Sequence, residues 1–436
     1  MARDVPTVSV IIPTHDRRDS LQRSLLALRH QTYPLSQLEV IVVADGCNDG
    51  TVDMLRGFQG GFTLRTIEQA QQGPGAARNK GAADARGRLL VFLDDDVEPG
   101  AKVIEVHAAA HQSQTELVAI GPYFPAPYQE LDLLGHMQRA WWHDKFRSFR
   151  RRGYRYGYQD LLGGNLSITA DLFARMDGFD SAFPCAHEDY EFGVRLIKAD
   201  IAFRLLPEAI AYHHLHESVT LDGSFLRAKL EGRADVLIGS RHPELRPSLP
   251  LVYLGQPYKK VSRLAHYLAF HKPALGALLA SQLKVVLRFL ERMRLRSRWL
   301  RIYSGLRNYW YLRGAAEMLA SREALGRFLQ DGFQQDVSSR NNHEIEIDLG
   351  HGLDEAERRL DELRPTSVRL FFGNQVVGRI APKLGAERLR GAHLRPILAS
   401  TLEWPLFRAI VLRTALQGLS MPPEFEAVLT SNHREK

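Results

Sequence analysis

The chain has 436 residues, 44% of them hydrophobic and 25% charged, with a net charge of +7. That balance excludes a disordered or fibrous chain and leaves room for two or three domains with real cores. Two cysteines, Cys47 and Cys185, allow one bridge at most and form no CxxC or Cys/His zinc pattern. They exclude a disulfide-built scaffold and point to a reducing compartment such as the cytosol. The first residues, MARDVPTVSVIIPTH, lack the apolar run of a signal peptide. The richest apolar stretch, Ala274 to Leu283, is shorter than the ~18 residues of a membrane span.

In chain order, Val8 to Pro13 (VSVIIP) has the β-branched profile of a buried parallel strand. Ser20 to Gln31 repeats apolar residues at helical spacing after Asp19, a capping residue. Leu38 to Ala44 predicts a second buried strand, Thr51 to Gly57 a helix, and Phe62 to Glu68 an alternating strand. Pro74 to Ala85 predicts a helix and Leu89 to Leu93 (LLVFL) another buried strand. Such alternation implies a Rossmann-like α/β domain with a mostly parallel sheet. Tyr154 to Asp180 reads as loop-rich, Asp189 to Lys198 as a helix, and Ala209 to His216 as a strand ending in histidines. Ser224 to Arg327 reads as mainly helical, broken at His242 to Pro257. Phe328 to His343 is polar and is the expected linker. Beyond it, Glu344 to Leu349 alternates as a strand and Asp354 to Arg364 is helical. Ser367 to Ile380 predicts a hairpin turning at Gly373-Asn374, in a small α/β or β-rich module. The expected domains are residues 1–220, 221–330 and 340–436.

Ligands of doubly wound sheets bind outside the carboxyl ends of the strands. Thr14 and Asp16 follow the first strand, Asp45, Gly46 and Asn48 the second, and Asp94, Asp95 and Asp96 the strand at Leu89 to Leu93. Three polar clusters at three strand ends predict one shared site. Adjacent carboxylates repel unless a cation or a donor neutralises them, and Mg²⁺ takes one or two carboxylates together with nucleotide phosphates. The alternative is an acidic turn capping the next helix. Asp45 suits a ribose or base contact, or else an Asx turn. Arg78 and Lys80 suit a phosphate or base, or else a solvated helix face. His187-Glu188-Asp189 precedes a helix; a carboxylate there suits a general base or simply complements the helix dipole. His213, His214 and His216 offer metal-ligating nitrogens or structural rings.

Taken in order, VSVIIPTHDR, VVADGCNDGT, GPGAARNKGAADARGRLLVFLDDDVEP, GGNLSI and HEDYEFGVRL resemble the family-2 glycosyltransferases of GT-A fold, from Val8 to His216. The resemblance implies an inverting, metal-dependent transfer from a sugar nucleotide, UDP-linked by preference, to a hydroxyl acceptor in cell-surface polysaccharide or glycolipid synthesis. It implies that Thr14 and Asp45 hold the nucleoside, with Pro13, Asp16 and Asp95 beside them, and that Arg78 lies near base and phosphate. Asp94 and Asp96 match the DxD ends that carry Mn²⁺ or Mg²⁺, and His213 the histidine completing that site. Gly164 and Asn165 match a loop lining the donor sugar. Glu188-Asp189 matches the ED pair, with Asp189 as base. Cys47 stands where the family commonly has serine. A non-catalytic GT-A-like binding module is the alternative; a nucleotidyltransferase would want a Gly-rich loop that PTHDRRDS lacks. Basic, aromatic-rich Lys284 to Arg313 suggests a peripheral contact with the anionic cytoplasmic membrane face. No helix-turn-helix, zinc-finger or RNA-binding pattern supports nucleic acid as the partner instead.

Overall fold

The computed structural model describes residues 7–112, 114–126, 132–184, 186–214, 219–255, 260–339, 344–417 and 423–430. Cys185 and His216 lie outside them. The chain divides into two compact units, Met1–Phe146 with Tyr158–Phe333, and Arg147–Gly157 with Gln334–Lys436.

The first unit opens with alternating elements: β1 (Val8–Thr14), α1 (Arg18–Leu28), β2 (Leu38–Asp45), α2 (Thr51–Gly57), β3 (Thr63–Gln69), α3 (Pro74–Asp84) and β4 (Leu89–Leu93). β1 pairs in parallel with β2 and β4, and β2 with β3. β1, β2 and β4 are buried along their whole length, which is why they read as continuous apolar runs. β3 at the sheet edge is only partly covered.

Next come β5 (Val97–Pro99), α4 (Val103–Ala110), β6 (Leu117–Ile120), β7 (Tyr123–Pro125), α5 (Leu133–Phe149), β8 (Asn165–Thr169), α6 (Ala170–Arg175), α7 (Glu188–Lys198), β9 (Ala202–Leu205) and β10 (Ala211–His213). Among the described residues the main sheet runs β3-β2-β1-β4-β8-β6-β9. Its one reversal is β8, antiparallel to β4 and β6. A small sheet, β5-β10-β7, sits apart. The span read as loop-rich thus contains β8 and α6; five residues after two glycines are too few to declare a strand until β4 and β6 cover both its sides. The strand expected from Ala209 to His216 is described only as β10, because its partners β5 and β7 are themselves three residues long.

The helical region holds α8 (Leu221–Arg241), α9 (Leu251–Leu254), α10 (Lys260–His271), α11 (Pro273–Arg292), α12 (Arg296–Leu319) and α13 (Arg322–Ser339). α8 and α12 meet backbone to backbone: a methyl at Gly232 would overlap the Tyr311 carbonyl, and one at Gly314 the Lys229 carbonyl. The basic stretch Lys284 to Arg313 is not one amphipathic helix. It breaks after α11, and Trp299, Tyr303, Leu306, Tyr309 and Leu312 of α12 are core residues. The expected linker is largely helical as well. Leu325, Phe328 and Leu329, spaced i, i+3, i+4, bury one face of α13 against the α8 cluster and override the polar composition. α11 extends well beyond the apolar stretch Ala274 to Leu283. It is 20 residues long and apolar enough to cross a bilayer by length and composition, since Ser281 and Gln282 interrupt the apolar run without ending the helix.

The second unit holds β11 (Glu344–Asp348), α14 (Leu353–Leu363), β12 (Ser367–Phe372), β13 (Gln375–Ile380), α15 (Gly391–Ser400), α16 (Glu403–Gln417) and α17 (Pro423–Thr430). β11 runs parallel to β12, and β12 antiparallel to β13. The hairpin turns at Gly373, whose φ of +61° suits glycine. Leu349, Leu353, Leu360, Leu370, Leu394 and Phe425 form its core. Residues 147–157 belong to this unit: Arg155 donates to the Glu387 carbonyl at 2.9 Å, and the Tyr156 amide to the Glu387 carboxylate at 2.9 Å.

Candidate active site

β1, β2 and β4 end side by side, so their following loops converge. Pro13 and Thr14 close β1, and the Thr14 hydroxyl donates to Asp95 at 2.8 Å. Arg17 donates to Asp95 at 3.1 Å and to Asp96 at 2.9 Å. Burial, then the Asp96 charge, push the Asp95 carboxyl up to about 7 against the pull of Arg17 and Thr14. Asp95 therefore sits beneath the loop, held by β1 and α1. Asp96 points toward β10, where His213 Nε2 lies 3.5 Å away. His214 turns the other way and meets Glu98 at 2.6 Å. Burial lowers the basicity of His213, but the Asp96 and Asp94 charges outweigh it and raise its pKa.

Asp45 ends β2 and is 4% exposed. One oxygen accepts from the Gln69 side chain and the Gln72 amide, each at 2.8 Å, and the other from the Gly73 amide at 2.7 Å. It thereby fixes the turn into α3. Gly73 has φ +93°, and a methyl there would collide with the Pro184 carbonyl. Asp16, at φ +50°, accepts from the Asn48 amide at 2.6 Å. Cys47 donates to the Thr14 carbonyl at 3.4 Å, and burial pushes its thiol pKa up.

Arg78, on the inner face of α3, reaches the Asp94 carboxylate at 2.6 Å and Glu188 at 2.8 Å. Phe179 lies 5.5 Å beneath its guanidinium. Lys80, two residues on, is exposed. Glu188 and Asp189 open α7. Burial, then the Glu188 charge, raise Asp189 to about 6 against Arg78 and His187. Asp189 also faces the Gly163 amide at 3.4 Å. His187, at φ +60°, lies against Asp235 at 3.0 Å and stacks on Tyr190 with ring centroids 4.4 Å apart. Asp235 in turn accepts from the Tyr311 hydroxyl. Side chains of α8 and α12 thus back the start of α7.

Gly164 lies where a methyl would come within 2.8 Å of Asp94 Oδ2 and 3.0 Å of the Tyr123 ring. The neighbouring Asn165 side chain is not brought into this cluster. It is fully buried, accepting from His107 Nε2 at 2.9 Å and donating to the Ala209 carbonyl at 2.9 Å. His107 and His111 share Ser167 at 2.7 and 2.9 Å, and burial lowers both rings to about 4.

The sequence reading missed Arg17, Tyr123 and Trp142. Tyr123 is buried, and burial followed by the Asp94, Asp189 and Asp96 charges raises its hydroxyl pKa. Trp142 of α5 packs edge-on to His213 at 5.5 Å. Arg17 was visible as the arginine after PTHD, but nothing in the spacing announced Trp142. A divalent cation fits this corner. Asp96 and His213 converge with their ligand atoms 3.5 Å apart, and His213 Nδ1 is buried with no hydrogen-bond partner among the described residues. Carboxylates with one imidazole suit a first-row divalent ion such as Mn²⁺, and carboxylates alone suit Mg²⁺. Asp16, Cys47 and Asp49 place three ligand atoms within 4.8 Å of one another and form another group that could hold a metal ion.

Residues 9–176 match the family described as Glycosyl transferase family 2. The chain is 24% identical over 314 residues to the glycosyltransferase YfnE of Bacillus subtilis, covering 61% of this chain and 74% of that protein. It is 41% identical over 186 residues to the glycosyltransferase AglE of Haloferax volcanii, covering 42% of this chain and 57% of that one. It is 30% identical over 246 residues to a validoxylamine A glucosyltransferase of Streptomyces hygroscopicus, covering 49% and 56%. The chain therefore spans little more than half the length of the latter two. Among solved structures, a mannosyltransferase of Pyrobaculum calidifontis in complex with GDP-Man and Mn²⁺ is 18% identical, with 72% of this chain and 86% of that one covered and a TM-score of 0.45.

Proposed function

Since the chain belongs to glycosyltransferase family 2, we propose that it moves a sugar from a nucleotide-diphosphate donor, UDP-linked by preference, to an acceptor hydroxyl with inversion at the anomeric carbon. The observation that carries this reading is the pairing of two chemically distinct acidic stations in one site. Asp96 with His213 suits a metal, whereas Asp189 is a carboxyl whose affinity for a proton is raised toward neutrality.

In this reading Asp96 and His213, with Asp94 beside them, would hold Mn²⁺ or Mg²⁺, and Asp45 receives the nucleoside. The bound ion would offset the negative charge of the diphosphate leaving group. Asp189 accepts the proton of the acceptor hydroxyl as that oxygen attacks the anomeric carbon. A base with a pKa near the working pH is both deprotonated enough to act and basic enough to help. Arg78 pairs with Glu188 at 2.8 Å, and the proton-accepting role falls to Asp189. Tyr123 and Trp142 wall the His213 side and limit water there. Placement of the acceptor at the cytoplasmic membrane face, for polysaccharide or glycolipid synthesis, is part of the same proposal.

The test is a thermal-shift panel of UDP, GDP, dTDP and CMP with and without Mn²⁺, on wild type and Asp96→Ala. A metal-dependent shift with one nucleotide, lost in the variant, is expected. No shift with any of them would overturn the reading in favour of a non-catalytic module.

A further inference from the structure

α11 divides around its axis into three sectors. Gly276, Ala280, Leu287 and Leu290 face inward. Leu287, Leu290 and Ala280 join Trp299 and Tyr303 of α12 in one core, and Glu291 accepts from the Leu133 amide at 3.0 Å. A methyl at Gly276 would overlap the Tyr309 hydroxyl, so this inner face is closely seated. An adjoining sector carries Leu275, Leu278, Leu279, Val286, Phe289 and Met293, with Gln282 among them, all exposed, with Leu278 at 57% and Phe289 at 59%. Their spacing keeps them on one side of a 3.6-residue helix. Along one border run Lys284, Arg288 and Arg292, each four residues from the next; Arg288 and Arg292 are exposed, and Lys284 pairs with Asp222. Beyond the helix end, Arg294, Arg296 and Arg298 are exposed as well.

Exposed aliphatic and aromatic side chains in one continuous row are costly in water and mark an interaction surface. The flanking basic row selects the partner. Cations beside an apolar stripe match the headgroup and acyl layers of an anionic bilayer. We propose that α11 is an in-plane membrane anchor: its apolar stripe sinks into the acyl boundary of an anionic leaflet while Arg288 and Arg292 meet the headgroups. A spanning arrangement would strip the inner face from α12 and expose Glu291 to lipid, so the helix lies flat.

The anchor deepens the proposed function and rests on it for its purpose. α5 begins at Leu133, against Glu291 of α11, and carries Trp142 to His213. Nine residues of helix rise about 14 Å. An acceptor headgroup carried by a lipid in that leaflet would then reach the candidate active site, whereas a free sugar would need no such surface.

The test is co-sedimentation of the full chain with vesicles of phosphatidylcholine alone or with about one-third phosphatidylglycerol. Binding to the anionic vesicles, weakened by salt, is expected. Arg288→Gln with Arg292→Gln should lower the partition coefficient roughly thirtyfold, and Leu278→Ser with Phe289→Ser at least about tenfold. Thermal melts and the nucleotide-induced shift serve as controls, and both should be unchanged in these variants. Equal binding to both vesicle types, no binding at low salt, or variants that bind like wild type would overturn the anchor. So would a concentration-dependent dimer abolished by Phe289→Ser, which would make a second copy the occupant. A wild type that binds vesicles yet shows no nucleotide response would sink the proposed function and leave the anchor standing.

Discussion

Arg78 donates to Asp94 at 2.6 Å and to Glu188 at 2.8 Å, so one buried guanidinium ties the end of β4 to the start of α7. Burial opposes its charge, yet the carboxylates more than restore it and raise its pKa. Removing the cation leaves Glu188 buried and uncompensated. Arg78→Met should destabilise the first unit by about 3 kcal/mol or more. Arg78→Lys keeps a charge but cannot reach both carboxylates with a planar fork. It should fold more stably than Arg78→Met while losing most activity. Urea melts together with kcat separate the two effects.

Asp189 supplies the pH dependence. Its carboxyl is raised to about 6, so the proton-accepting form is lost as pH falls through that value. The rate should show an acid limb near 6 that vanishes in Asp189→Asn, with a loss of about 10²- to 10⁴-fold. Asp235→Asn tests the backing of α7. His187 is raised by its hydrogen bond to Asp235 against the effect of burial. Without Asp235 the ring loses its charge at lower pH, Asp189 loses that support, and the acid limb should move upward with little change in KM.

His213 and His214 are adjacent but face different carboxylates, Asp96 and Glu98. A nucleotide with Mn²⁺ at ~100 times its dissociation constant adds roughly 2.7 kcal/mol of stability. His213→Ala and Asp96→Ala should abolish that increment, and His214→Ala should retain it. The reverse pattern in differential scanning fluorimetry would reassign the ligand.

The His107–Ser167–His111 cluster makes the sheet acid-labile. Both rings are lowered to about 4, His107 by burial and His111 by burial and then by Arg204. Between pH 6.5 and 4 the unfolded chain therefore binds more protons than the folded one, and stability rises with pH across that window. His107→Gln should flatten the slope of stability against pH in denaturant titrations between those values.

The parallel strands were legible because burial on both faces leaves a continuous apolar signature. β4 was expected at Leu89 to Leu93 and lies there, and the hairpin turn at Gly373 follows from a dipeptide that tolerates positive φ. β8 was not legible, since five residues after a glycine pair declare neither strand nor direction. The three polar loops were expected to converge at the strand ends, and they meet there: Thr14 bonds Asp95 and His15 the Asp45 carbonyl. Which way each side chain turns was not written locally. Asn165 is drawn into the core by His107, Arg78 is claimed by two carboxylates from distant loops, and Trp142 arrives on a helix that no motif announced.

The pairing of residues 147–157 with the C-terminal unit bears on biogenesis. Gly157 bridges to Ala386, and Tyr156 and Arg155 to Glu387. More than two hundred residues must be translated between these partners, which takes between roughly 10 and 50 s at 5–20 residues per second. Phe149, Tyr154 and Tyr156, whose rings cluster at 5.3–5.6 Å, emerge well before Ala386 and Glu387 are made. A nascent chain stalled before Glu387 displays that aromatic strap, and chaperones and proteases read such a signal. Completion of translation is thus recorded in the middle of the polypeptide.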